Sequence, residues 1–304
     1  MNHLHGALGI TREGVIYQHI GLPHPPGLLP GIPKYITCSN GLWGRGSVRF
    51  CRYLREYGPH GLESAIKSTG IKTTYDPQYN AEMPYVEVTR LLKLVDPVKA
   101  LGDILVKPEN ILHCKLIDLY GAMSRHVDKS NGEMGVTGSI AAGIENVDIS
   151  DIDLIVYTLN PIEVLNGFTN ETKPRNLAKR WLGGVRVHPE VWIGWRRRTF
   201  NGASVSITLA PPAPSAHCKP LKNYWSINPI NDTVVKVINI EPGIQESLLY
   251  PPCTRYEGGG YIVSYEYNLA WLLYKGGTFK VKAGRSGEDL YLGIRGYETW
   301  IKAL

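Results

Sequence analysis

The sequence predicts an α+β protein in three parts: a mixed sheet with helices in the middle, a small α+β module before it, and a small β-barrel after it. Three observations carry this prediction. Apolar residues recur at helical spacing between Leu112 and Val127, and short β-like runs recur towards both ends of the chain. Pro211-Pro212-Ala213-Pro214 interrupts any central strand or helix that would cross it. The expected boundaries are 1–92, 93–215 and 216–304.

A chain of 304 residues with 43% hydrophobic composition has enough apolar surface for a sizeable core. No run approaches the ~18 apolar residues of a membrane helix, and Met1-Asn2-His3-Leu4-His5-Gly6 does not begin a charged-then-apolar leader. The expectation is a cytoplasmic protein with no membrane partner. Cys38, Cys51, Cys114, Cys218 and Cys253 are odd in number and scattered, without a Cys-x-x-Cys pair, and read as reduced structural thiols. The formal charge of +6 favours phosphate-bearing partners only slightly.

Along the chain, Val15 to Ile20 and Tyr35-Ile36-Thr37 have strand character, joined by a Pro/Gly-rich connector from Leu22 to Pro33. Signals are shorter from Tyr75 to Val106, ending in Pro97-Val98-Lys99-Ala100-Leu101. Pro108 suits a first helical turn, and Leu112, Leu116, Leu119, Tyr120, Met123 and Val127 share one face of the helix that follows. Asp128 to Gly132 supplies turn chemistry, then Met134 to Thr137 reads as a short buried strand. Further on come a helix near Pro161 to Phe168, a basic region from Lys173 to Arg198 and a strand at Ala203 to Leu209. Strands at Val234–Ile240, Tyr261–Tyr265 and Thr278–Ala283 suggest a small terminal barrel, with the oligonucleotide-binding shape as its candidate form.

The chemistry-bearing segment is Gly138-Ser139-Ile140-Ala141-Ala142-Gly143, followed by Ser150-Asp151-Ile152-Asp153-Leu154-Ile155-Val156-Tyr157. A Gly-Ser pair between a strand and a short helix lets backbone N–H groups and a hydroxyl approach phosphate oxygens closely. Side chains at i and i+2 of a strand leave the same face, so Asp151 and Asp153 can converge on one hard cation, while Ile152, Leu154 and Val156 enter the core. A lone Asp-x-Asp is otherwise an ordinary solvated strand edge, and Ser139 also suits a helix cap.

Together the two halves resemble the signature of the DNA polymerase beta-like nucleotidyltransferase superfamily. The resemblance implies a nucleotidyltransferase-type mixed sheet in which Asp151 and Asp153 hold Mg2+, or Mn2+, against a nucleoside triphosphate. Gly138 and Ser139 would bind the phosphates, and an acceptor hydroxyl would attack in line with release of pyrophosphate. It also implies a third carboxylate on the strand at Ser204 to Leu209, where Ser206 stands instead; Glu190 and Asp148 are the candidate substitutes.

Arg196 and Arg198, in a triplet with Arg197 and near Arg175, Lys179, Arg180 and Arg186, are candidates for clamping the triphosphate or contacting a nucleic-acid acceptor; a solvated charged face is the plainer reading. Trp192 and Trp195 suit base stacking or core packing. The nine histidines show no zinc spacing, and Tyr256-Glu257-Gly258-Gly259-Gly260 reads as a hairpin turn rather than a phosphate loop. Two functions lead from the sequence, a metal-dependent nucleotidyltransferase or a non-catalytic nucleotide- or RNA-binding protein that keeps the fold without the third acid; a third, more remote, is an assembly subunit that binds neither ligand.

Overall fold

The structure, a computed structural model, describes residues 5–21, 23–54, 59–69, 71–175, 180–182, 185–187, 194–213, 218–221 and 228–304. It is a mixed α+β architecture of several sheets.

The first sheet contains β1 (Leu8–Thr11), β2 (Val15–His19), β3 (Leu28–Thr37), β4 (Trp43–Arg45) and β5 (Val48–Arg52), then β8 (Tyr85–Glu87) and β9 (Leu91–Val95). Its order is β4-β5-β3-β2-β1-β9, with β8 also on β3. Helix α1 (Pro59–Thr69) and a separate hairpin, β6 (Thr74–Asp76) with β7 (Ala81–Met83), lie between β5 and β8 in the chain. The expected connector from Leu22 to Pro33 is in its second half part of β3. Pro30 pairs with Tyr85, and Pro33 pairs with Tyr17 beside a register shift at Ile16/Tyr17. A bulge is where a sheet tolerates a residue without an N–H donor.

The middle of the chain adds α2 (Pro97–Val106), α3 (Ile111–Lys129), β10 (Glu133–Thr137), α4 (Gly138–Ala142), β11 (Ile152–Tyr157) and α5 (Pro161–Glu171). After these come β12 (Lys173–Pro174), the hairpin β13 (Arg180–Leu182) and β14 (Val185–Val187), then β15 (Arg197–Phe200) and β16 (Ala203–Ala210). Pro97 opens a helix rather than ending a weak segment: it takes the first-turn position while the Asp96 carboxylate accepts from the Val98 and Lys99 amides. Asn110 caps α3 in the same way through Leu112 and His113, which is why that helix starts at Ile111.

The second sheet runs β10-β11-β16-β15-β12 and is mixed, with β10 antiparallel and β16 parallel to β11. Leu112, Leu116, Leu119, Met123 and Val127 of α3 join Ile152, Leu154, Val156, Val205, Ile207 and Leu209 in one buried cluster. Burial of each such side chain contributes about 1.5–3 kcal/mol.

The third sheet comprises β17 (Asp232–Ile240), β18 (Cys253–Arg255), β19 (Tyr261–Ser264), β20 (Gly277–Ser286), β21 (Asp289–Leu292) and β22 (Trp300–Ala303), with α6 (Ala270–Lys275) between β19 and β20. The order is β17-β20-β21-β19-β18, with β22 also on β20 and β19 parallel to β21. A bridge between Ile240 and Tyr256 brings the two ends of this row together, so the sheet curls round a core of Ile238, Ile240, Ile262, Phe279, Val281, Leu290 and Leu292. Leu273 of α6 is buried in that same core. Alternate residues Cys253, Val263 and Tyr291 point the other way, into the large cluster shared with the first two sheets.

The cysteines are not the reduced thiols expected from their scatter. Cys38 pairs with Cys51 and Cys218 with Cys253, leaving Cys114 free. Pairing of β3 with β5 brings the first two together, and the Cys38 amide donates to the Arg49 carbonyl at 3.0 Å. Spacing in sequence carries no trace of that register. Among the described residues, no helix is long and apolar enough to cross a membrane.

Candidate functional site

The site lies where β10 ends. Thr137, the last residue of β10, is paired with Asp153 of β11 and donates from Oγ1 to the Gly6 carbonyl at 2.6 Å. Gly138 then takes φ +71°, a conformation that side chains other than glycine's rarely adopt. A Cβ there would lie 2.6 Å from Asp153 Oδ2, so the carboxylate rests against the glycine backbone. Helix α4 runs for only five residues and ends on Gly143, at φ +66°.

Ser139 is buried and does not act as a helix cap. Its hydroxyl donates to Ser150 Oγ at 3.0 Å, and Ser150 Oγ also accepts the Asn146 amide at 3.0 Å. The Gly-Ser turn is thereby tied to the residue immediately before Asp151. The loop between them is anchored at three further residues. Asn110 Nδ2 donates to Glu145 Oε1 at 2.7 Å, with His113 Nε2 2.9 Å from the same oxygen, and Asn146 Nδ2 donates to the Leu42 carbonyl at 2.9 Å. Gly44 of β4 donates its amide to the Ile144 carbonyl at 3.0 Å, so the β4–β5 hairpin also rests on this loop.

Asp151 immediately precedes β11 and Asp153 lies within it; both are partly exposed, while Ile152, Leu154 and Val156 are fully buried. In the parallel pairing of β11 with β16, Asp153 stands opposite Ser206, whose Oγ donates to Asp153 Oδ1 at 2.5 Å. On the far side of Ser206, the antiparallel pairing of β16 with β15 places Arg197 opposite. Asp153, Ser206 and Arg197 thus form one row across three strands, on one face of the sheet.

The sequence names Arg197 only as part of the Arg196-Arg197-Arg198 run, although a signal that sets it apart from its neighbours is there. Asn201 and Gly202 both have positive φ, as a two-residue hairpin turn requires. Counting back from that turn pairs Phe200 with Ala203 and Arg197 with Ser206. The candidates Arg196 and Arg198 go elsewhere. Arg196 donates to Ile207 O, Thr208 Oγ1 and Asn268 Oδ1 and lies over the Tyr267 ring, 4.8 Å from its centroid. Arg198 donates to Thr172 Oγ1 and to the Thr169 and Thr172 carbonyls at the end of α5.

The His5 imidazole is held well below its usual pKa by burial first, then by its neighbours His19, Arg196 and Lys34. His5 stacks on Tyr250 with ring centroids 3.9 Å apart, and it directly precedes Gly6, which accepts from Thr137.

Asp148 is exposed on the loop, and among the described residues no three His, Cys, Asp or Glu side chains gather in a group that could hold a metal ion, so that two carboxylates are all that the site offers there. Glu190, Trp192 and Lys179 lie outside the described residues, and of Arg180 and Arg186 only the backbone is described. Trp195 is a core residue, 6% exposed and packed against Tyr267 and Trp271. The Tyr256–Gly260 segment is the turn between β18 and β19, closed by the Tyr256 amide on the Gly260 carbonyl.

Compared with protein-family models, with curated proteins and with solved structures, the chain matches none.

Proposed function

We propose that this chain binds a nucleoside triphosphate with Mg2+ or Mn2+ and transfers a nucleoside monophosphate to an acceptor hydroxyl, releasing pyrophosphate. The observation that carries this reading is the contact between its two sequence halves: the Asp153 carboxylate lies against Gly138, and Ser139 is bonded to Ser150 beside Asp151. A Mg2+ ion fits this donor set, since it takes one or two carboxylates and completes its shell with water and substrate phosphates. Asp151 and Asp153 would hold it. When bound, the ion supplies positive charge to the phosphate oxygens.

The remaining work falls to the chain. The small Gly138 lets phosphate oxygens approach the backbone. The Ser206 hydroxyl orients Asp153 by donating to Oδ1, but a serine hydroxyl is too weak a base to take the acceptor's proton at neutral pH. That single position favours the second reading, a non-catalytic nucleotide- or RNA-binding protein.

Incubation with each radiolabelled nucleoside triphosphate, Mg2+ or Mn2+, and pooled RNA, DNA and protein acceptors separates the two. Label transfer that disappears in Asp151→Ala/Asp153→Ala supports the transferase. Metal-dependent triphosphate binding without transfer supports the second reading.

A further inference from the structure

The C-terminal sheet, curled into a half-barrel, has two outward sides, and the fold uses only one. Across β18, β19 and β21, the outward residues Cys253, Val263 and Tyr291 are buried in the core shared with the rest of the chain. The outward side of β17, β20 and β22 faces solvent. Its register gives two rows: Val237 opposite Lys280 opposite Lys302, and Val235 opposite Lys282 opposite Trp300. Val235 and Val237 are each 56% exposed.

Lys280 and Lys302 are exposed, directly opposed across neighbouring strands, and without an ion-pair partner among the described residues. Lys282, one step along β20, takes Glu298. Like charges placed directly opposite destabilise a sheet, so this pair weakens the barrel unless an anion lies between the two ammonium groups. Val237 in the same row, and Val235 and Trp300 in the next, add apolar surface beside the lysines. A second copy of the chain does not suit this face, because a two-fold contact would bring the same lysines together.

We infer that the β17–β20–β22 face binds single-stranded nucleic acid, with backbone phosphates at Lys280 and Lys302 and sugars and bases against Val235, Val237 and Trp300. Recognition is through the phosphodiester chain and therefore largely independent of sequence. The face belongs to the barrel alone and needs neither nucleotide nor metal, so this inference goes beyond the transferase reading and can fail or stand without it.

The test is fluorescence anisotropy of the full chain with labelled mixed-sequence single strands of RNA and of DNA, over a range of salt, without nucleotide or divalent metal. Wild type binds at low salt and weakens as salt rises. Lys280→Gln/Lys302→Gln binds at least about tenfold more weakly, and its log-log salt slope is shallower by about 1.4, two single-strand phosphate contacts. Val237→Ser weakens binding without changing that slope, while Asp151→Ala/Asp153→Ala binds as wild type does. An unchanged affinity and slope in the double lysine variant overturns the inference. So does displacement of the oligonucleotide by polyglutamate at matched charge, which would mark the face as one for acidic protein.

Discussion

Ser206 Oγ donates to Asp153 Oδ1 at 2.5 Å, across two strands whose register places these residues directly opposite each other. The serine therefore stands where a second carboxylate would share a cation with Asp153. Ser206→Asp places two like charges side by side and is expected to lower metal-free stability by about 1 kcal/mol. Adding Mg2+ should then raise the melting temperature of the variant more than that of wild type. Equal responses to Mg2+ in thermal melts would count against a cation at this place.

Gly138 is constrained twice, by φ +71° and by the nearness of Asp153 Oδ2. Gly138→Ala is expected to destabilise the fold by about 1–3 kcal/mol through backbone strain. By displacing the Asp153 carboxylate, it should also weaken Mg2+-dependent triphosphate binding by about tenfold, or roughly 1.4 kcal/mol. Denaturant titration and calorimetry measure the two effects separately. A variant as stable as wild type would contradict the contact.

The central part of this architecture is legible in the sequence because its signals are local. The spacing of Leu112, Leu116, Leu119, Met123 and Val127 marks α3, and Ile152, Leu154 and Val156 mark β11. What escapes inspection depends on register or on partners far along the chain. Pro97 resembles a terminator until Asp96 is recognised as the cap before it. Pro33 argues against a strand unless the bulge opposite is known. The disulfides and the Ile240–Tyr256 bridge follow from strand pairing that spacing does not encode. Arg197 is the intermediate case, recoverable from the Asn201-Gly202 turn by counting.

His5 gives a pH prediction. Its imidazole pKa lies well below 6.5 in the fold, chiefly through burial and then through nearby positive charge. The neutral ring is therefore the form the fold favours. The stability it contributes is present above the unfolded pKa and is lost as pH falls through 6.5 towards the folded value. His5→Phe keeps a ring against Tyr250 and removes that dependence. Denaturation free energies of both proteins at pH 7.5 and pH 5 should diverge from each other, with wild type losing more on acidification. Parallel losses would show that His5 is not the group responsible.

Cys218 and Cys253 are 35 residues apart, and their bond ties the chain beyond the proline-rich break to the first residue of β18. Closing a loop of that length stabilises by about 3–4 kcal/mol in the chain-entropy account. Cys218→Ala/Cys253→Ala is expected to lose that amount in denaturant titration, and added reductant should lower wild type towards the variant. Alkylation without reductant should label one thiol, Cys114, rather than all five cysteines.

The most direct test of the account is calorimetric titration of the intact protein with each nucleoside triphosphate, with and without Mg2+, beside Asp151→Ala/Asp153→Ala. Saturable binding that needs Mg2+ and disappears in the double variant, while the variant remains folded, is the expected result. Binding that is equal in the two proteins, or absent from both, would contradict it.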